Sequence, residues 1–137
     1  MEEKRLIFSA RSERALLGVH PDLVAIVRRA LEIADSMGWT DITVAEGRRS
    51  MARQLILHAA GKSQTLRSLH LTGHAIDVWP YPLPPGLARW DARNFAWRQV
   101  ARAMKMAAAE LGIKDLQNGI DLWGWDAPHW QLGRNKK

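Results

Sequence analysis

Ser68-Leu69-His70-Leu71-Thr72-Gly73-His74-Ala75-Ile76-Asp77-Val78-Trp79 is the stretch from which the fold can be read. Its second half, Ala75 to Trp79, is a β-favouring run closed by Pro80, and it predicts a short strand. Strand side chains alternate, so Ile76 and Val78 face the core while Asp77 points the other way with Ala75 and Trp79. An unpaired carboxylate in that setting carries a heavy desolvation cost, so Asp77 must be ion-paired or bound to a metal. Gly73 allows a sharp turn ahead of the strand, which brings His70 back toward Asp77.

Upstream of this stretch the pattern is helical. Ser12 is placed to cap a short helix running to Leu17 and ended by Gly18. Pro21 suits the first position of a second helix, with Asp22 near its positive end. Leu23, Ile26, Val27, Ala30, Leu31 and Ala34 give that helix one apolar face, and Gly38 stops it. Ile42 to Ala45 reads as a strand, followed by Glu46-Gly47-Arg48-Arg49, and Ser50 caps a helix to Ala60. Residues 62–74 read as a loop. Downstream, the four prolines between Pro80 and Gly86 predict an ordered surface turn. Asp91 is expected to cap the longest helix, Ala92 to Leu111, with Trp97, Val100, Ala101, Met104, Ala107, Ala108 and Leu111 inward and Arg98, Arg102 and Lys105 outward. Two or three short strands fill residues 113–132. Helices mixed with short strands in this order predict an α+β fold, a small antiparallel sheet with flanking helices.

The chain has 137 residues, enough for one domain with a core of its own, and the expected organisation is a single domain over 1–137 with a flexible basic tail at 133–137. It has no cysteine, which excludes disulfides and thiolate metal sites, so a metal must be held by His and carboxylate. No run reaches the roughly 18 apolar residues that a membrane span needs. The opening Met1-Glu2-Glu3-Lys4-Arg5 has no apolar signal core and predicts a cytoplasmic product. Twenty Lys and Arg against fourteen Asp and Glu leave a net charge of +6, which favours a polyanionic partner: nucleic acid, an anionic envelope polymer or a membrane surface.

The chemistry concentrates in the opening stretch, in Asp126-Ala127-Pro128-His129, and in Arg48-Arg49. Two imidazoles and one carboxylate form a suitable Zn²⁺ set with a fourth position left for water. Asp126, three residues before His129, would lie beside that position as a general base. Taken singly, each histidine also reads as an ordinary core or surface residue, Asp77 as the partner of an arginine, and Asp126 as a turn residue before Pro128. His20 and His58 carry no signal. A His-Glu-x-x-His helix is absent, because His70 and His74 enclose no Glu and Gly73 disfavours a helix there. Trp123, Trp125 and Trp130 read as core and cleft wall.

Ser-x-His-x-x-Gly-x-Ala-x-Asp followed late in the chain by Asp-x-x-His resembles the zinc D-Ala-D-Ala metallopeptidase family. That family includes D-alanyl-D-alanine dipeptidases and carboxypeptidases and the small L-alanyl-D-glutamate endopeptidases of phage endolysins. Val19-His20-Pro21-Asp22-Leu23 resembles the opening of the phage members, and Val44 to Ser50 with Gln54 resembles their strand, Gly-x-Arg turn and helix. The resemblance implies Zn²⁺ held by His70, Asp77 and His129, with Asp126 as the catalytic acid or base. It implies that Arg49 binds substrate and stabilises charge on the scissile carbonyl, and that Ser68 contacts substrate or supports the site. His74 adds an imidazole that could compete as a ligand, and Asp121 has no assigned role. The implied protein is a monomeric endolysin cutting the L-Ala-D-Glu bond of peptidoglycan stem peptides, with no nucleic-acid partner and no integral membrane segment. It would be kept in the host cytoplasm until release to the wall or periplasm. The alternatives are a D-Ala-D-Ala carboxypeptidase or dipeptidase on the same metal site, a catalytically dead wall-binding domain, or a basic nucleic-acid-binding module. The last conflicts with basic residues dispersed from Lys4 to Lys137.

Overall fold

A computed structural model describes residues 6–63, 65 and 68–134. Its elements in chain order are α1 (Ala10–Ala15), α2 (Pro21–Met37), β1 (Asp41–Glu46), α3 (Met51–Ala59), a 3₁₀ turn at Leu69–Thr72 and β2 (Ala75–Tyr81). A second 3₁₀ turn at Gly86–Ala88, α4 (Phe95–Glu110), β3 (Leu116–Asn118), α5 (Gly119–Trp123) and β4 (His129–Leu132) follow. The strands form one antiparallel sheet in the order β1-β2-β4-β3. No described helix is long and apolar enough to cross a membrane.

One face of the sheet carries the core. Ile42, Val44, Ile76, Val78, Trp130 and Leu132 pack against α2 and α4, whose Leu23, Ile26, Val27, Val100, Met104 and Ala107 are buried. Each of the larger of these side chains contributes about 1.5–3 kcal/mol by leaving water. The predicted apolar faces of both long helices are those that are buried, except that Leu111 is left half-exposed, Ala101 is only partly buried, and Ile33 and Ala103 are added. The opposite face of the sheet holds Asp77, His129 and Trp79, and the site is built there.

Several ends differ from the sequence expectation. Ser9, not Ser12, caps α1 by accepting from the Ser12 amide. Ser12 is buried within the helix, and its hydroxyl accepts from the Val44 amide at 3.0 Å, which ties α1 over the outer edge of β1. Covering that amide removes an open sheet edge. Pro80 lies inside β2 rather than ending it. The amide of Val78 points toward β4, where it meets Pro128 O at 2.9 Å. By alternation the nitrogen of Pro80 faces the same side, beyond the three-residue β2–β4 pairing, so no ladder bond is lost. Asn94 caps α4, whereas Asp91 closes the preceding turn by accepting from the Arg93 amide. α2, with 17 residues, is longer than α4, with 16. The five-residue α5 was not expected between β3 and β4. His20 caps α2, its Nδ1 accepting from the Asp22 amide at 3.0 Å. Arg134 of the basic tail is held by Asp115 at 2.7 Å and Asp22 at 3.0 Å, and residues 135–137 lie outside the described residues.

Candidate active site

β2 and β4 set the centre by register: Asp77 pairs with His129 across the two strands. His70 arrives from the 3₁₀ turn, which ends at Gly73 in the left-handed region, and its own amide donates to Ser68 Oγ at 3.1 Å. A Cβ on Gly73 would meet the Gly18 carbonyl oxygen at 2.2 Å, so only glycine fits this turn against the loop after α1. His70 Nε2 lies 3.3 Å from Asp77 Oδ1, and His129 Nδ1 lies 3.7 Å from the same oxygen. One ligand atom from each of the three residues falls within 4.8 Å of the others.

The outer nitrogens of both imidazoles are occupied. His70 Nδ1 donates to the Gly47 carbonyl at 2.8 Å, and His129 Nε2 lies 2.8 Å from Gln131 Oε1. Anchored to an oxygen on the far side, both rings turn His70 Nε2 and His129 Nδ1 toward Asp77, where these nitrogens donate to the carboxylate when protonated and would offer lone pairs to a bound metal. Burial pushes the Asp77 carboxyl up, but hydrogen bonds and charge from His129 and His70 outweigh it and hold the group well below the usual carboxylate range. Burial also opposes a charged His129, yet hydrogen bonds to Asp77 and Gln131 and the charges of Asp77 and Asp126 raise its imidazole above the ordinary value. Two buried imidazoles facing one ionised carboxylate, with no Lys or Arg paired to it among the described residues, are a donor set that fits a divalent metal.

Asp126 stands at the mouth of this cluster with φ 72°, the one non-glycine residue in the left-handed region among those described. Its carboxyl is raised, first by burial and then by the negative charge of Asp77. No described side chain donates to it, so it is available to a reacting group. Asn118 and Gly119, adjacent to one another in sequence, hold the backbone of its segment. Asn118, buried, donates from Nδ2 to the carbonyls of Ala127 and His129, both at 3.0 Å. Gly119 packs so closely that a Cβ there would lie 2.2 Å from Asp126 O.

Arg49 lines the same cleft with its side chain largely covered. Its Nε and Nη2 bond Glu46, Nη1 bonds Gln54 Oε1 at 2.6 Å, and Nη1 reaches Ser68 Oγ at 3.5 Å. A guanidinium has five N–H donors, so these four bonds leave one for a ligand. Gln54 is itself fully buried and donates to Ser63 Oγ at 2.8 Å and to the Thr65 carbonyl, which joins Arg49 to the loop after α3.

The expected site residues therefore converge: His70, Asp77, His129, Asp126, Arg49 and Ser68 all line one cleft of about 500 Å³, together with Arg53, Lys62, Trp123 and Trp125. His74 does not join them. Its Nδ1 lies 2.8 Å from Thr72 Oγ1 and its ring packs 5.1 Å from His20. Asp121 pairs with Lys105 at 3.0 Å on the outer surface. Gln54, Gln131, Asn118 and Gly119 went unassigned from sequence. Asn118-Gly119 does carry the signature of a helix start, with Asn118 Oδ1 accepting from the Ile120 amide.

With this geometry established, the comparison with known proteins is decisive. The family model for the phage L-alanyl-D-glutamate peptidase matches residues 5–131. The chain belongs to that family. The L-alanyl-D-glutamate peptidase of Escherichia phage T5 is 37% identical over 123 residues, 88% of this chain and 82% of that protein. The crystal structure of the Serratia marcescens L-Ala D-Glu endopeptidase ChiX superposes with a TM-score of 0.74 at 45% identity, covering 92% of this chain and 90% of that one. The LD-carboxypeptidase LdcB, at 15% identity and a TM-score of 0.56, covers 86% of this chain and 60% of its own and shares the fold alone. Within the phage L-alanyl-D-glutamate peptidase family, the convergence of His70, Asp77 and His129 is a metallopeptidase centre.

Proposed function

We propose that this protein is a monomeric zinc endopeptidase that hydrolyses the L-Ala-D-Glu bond of peptidoglycan stem peptides, releasing the peptide from its glycan strand as a lytic enzyme would. The observation that carries the reading is the His70–Asp77–His129 cluster with the outer nitrogen of each imidazole anchored on an oxygen. Zn²⁺ suits two imidazoles, one carboxylate and no thiolate. When bound, the metal supplies Lewis acidity to the scissile carbonyl and the attacking water.

The chain's own residues do the rest. Asp126 takes the proton of the attacking water and returns it to the leaving amine of D-Glu. Burial and the charge of Asp77 raise its carboxyl above the ordinary value, which makes the carboxylate a stronger base toward the water's proton. Arg49 offers its remaining N–H to the carbonyl oxygen as negative charge develops there. Glu46 offsets much of the guanidinium's charge, so Arg49 contributes a fixed donor position more than a free cation. Arg53 and Lys62, on the same wall, suit the free carboxylates of the stem peptide. Trp123, whose ring centroid lies 5.1 Å from that of His129, forms part of the cleft wall beside the centre.

Digestion of purified peptidoglycan, with and without a zinc chelator, followed by end-group analysis tests this reading. New amino-terminal D-Glu that disappears with chelation is expected. Release of free D-Ala with no new D-Glu terminus would make the protein a carboxypeptidase.

A further inference from the structure

We propose that the sheet surface beyond the metal cluster, centred on Trp79, binds the N-acetylmuramic acid sugar to which the stem peptide is attached. The inference rests on the endopeptidase reading, because only a bond one residue from the glycan brings a sugar so near the centre. Side chains on β2 alternate, so Asp77, Trp79 and Tyr81 share one face, with about 7 Å between the Cα atoms of Asp77 and Trp79. Asp77 lines the catalytic cleft, whereas Trp79 and Tyr81 line a second groove of about 770 Å³ with Arg11, Asp41 and Thr43. Cleft and groove therefore occupy the same side of the same strand. L-Ala spans about 3.5 Å of chain, so a sugar joined to its amino group falls within reach of Trp79 when the scissile bond sits at Asp77.

The two halves of this surface differ in chemistry, and the difference gives the substrate a direction. The cleft carries Lys62 and Arg53, the latter 3.8 Å from Glu46, and these cations suit the carboxylates on the D-Glu side of the bond. The groove carries aromatic faces with one cation and one acid. Trp79 meets Trp90 edge to face at 5.5 Å and 74°, and the Arg11 guanidinium lies 5.8 Å over the Trp79 ring. Trp90 is 51% exposed and Tyr81 62% exposed, so both rings keep much of their surface in water beside the site. A hexosamine presents C–H faces that pack on indole and phenol rings, along with hydroxyl and acetamido groups that need both donors and acceptors. The groove offers both, whereas a strongly anionic ligand would meet Asp41.

The test compares kcat/KM on two substrates: an amino-terminally acetylated L-Ala-D-Glu peptide, and the same peptide carried on N-acetylmuramic acid. Wild type should prefer the muramoyl peptide about tenfold, chiefly through KM, in line with one good aromatic contact. Trp79→Ala and, separately, Trp90→Leu should bring that preference to within about twofold of unity. As a readout that needs no variant, N-acetylmuramoyl-L-alanine added to the zinc-loaded protein should shift the indole N–H resonances of Trp79 and Trp90 and leave that of buried Trp130 in place. A wild-type preference near unity, a preference unchanged in both folded variants, or unmoved Trp79 and Trp90 resonances overturns the sugar subsite and leaves the endopeptidase reading standing. If wild type cuts neither substrate at L-Ala-D-Glu, the endopeptidase reading fails, and the sugar subsite that rests on it is overturned too.

Discussion

Gly119→Ala should cost catalysis far more than a surface glycine substitution ought to. The new Cβ would lie 2.2 Å from the carbonyl oxygen and 2.9 Å from the Cβ of Asp126, where ordinary contact begins at 3.4 Å. Both atoms belong to a segment that the adjacent Asn118 clamps through the Ala127 and His129 carbonyls, so relief requires Asp126 to move by about 1 Å. Misplacing a catalytic group by that much lowers kcat/KM by about 10²-fold, or roughly 2.7 kcal/mol of transition-state stabilisation. His70 and Asp77 lie on other elements, so the variant should still bind one metal per chain when zinc is saturating. The assay is kcat/KM on a soluble muropeptide with metal content measured on the same sample. Gly112→Ala is the control for general destabilisation, because its Cβ meets nothing within 4 Å and φ of 72° makes the cost one of backbone strain. A Gly119→Ala protein that folds and turns over at the wild-type rate would refute the idea that this packing places Asp126.

Asp126→Asn preserves shape while removing the base, so turnover should fall by about 10²–10⁴ with zinc retained; a near wild-type rate would move the role elsewhere. Gln131→Ala frees the outer nitrogen of His129, and zinc affinity measured by chelator competition should weaken by about 10- to 100-fold. Unchanged affinity would show that Gln131 does not orient the ligand. Arg134 holds the Asp115 carboxyl below its ordinary range, so the pair adds stability above the unfolded pKa that is lost as pH falls through the folded one. Asp115→Asn should therefore lower the urea midpoint at pH 7, and the gap to wild type should close below about pH 4; a gap that is constant with pH would contradict this.

What was legible in the sequence was whatever a local pattern could encode. The alternation around Asp77 placed a carboxylate on the open face of a strand, and the structure puts it there beside two imidazoles. Pro21 and Gly38 marked both ends of α2, since one fixes φ and the other takes the left-handed conformation. Local pattern was ambiguous where two capping residues stand three apart. Ser9 and Ser12 are equivalent as caps, and the choice falls to Val44, an amide 32 residues away that recruits Ser12. Asp91 and Asn94 present the same ambiguity at the start of α4, and Asp91 is used up in the turn before it. Gln54 belonged to the stretch that resembles the phage members, but its role was not legible because its partners, Arg49, Ser63 and Thr65, lie on a turn and a loop on either side of α3. α5, at five residues, is too short to show a period. His74 was set apart by orientation alone: it precedes the strand on the side of His20, whereas His70 faces Gly47 and Asp77.

The most direct test of the central claim is a crystal structure of the zinc-loaded protein with anomalous data collected on both sides of the zinc edge. A single strong peak is predicted, bonded to His70 Nε2, Asp77 Oδ1 and His129 Nδ1, with Asp126 beside the open position and His74 away from it. A peak ligated through His74 or Asp126, or none at this cluster from protein that retains zinc-dependent activity, would contradict the account.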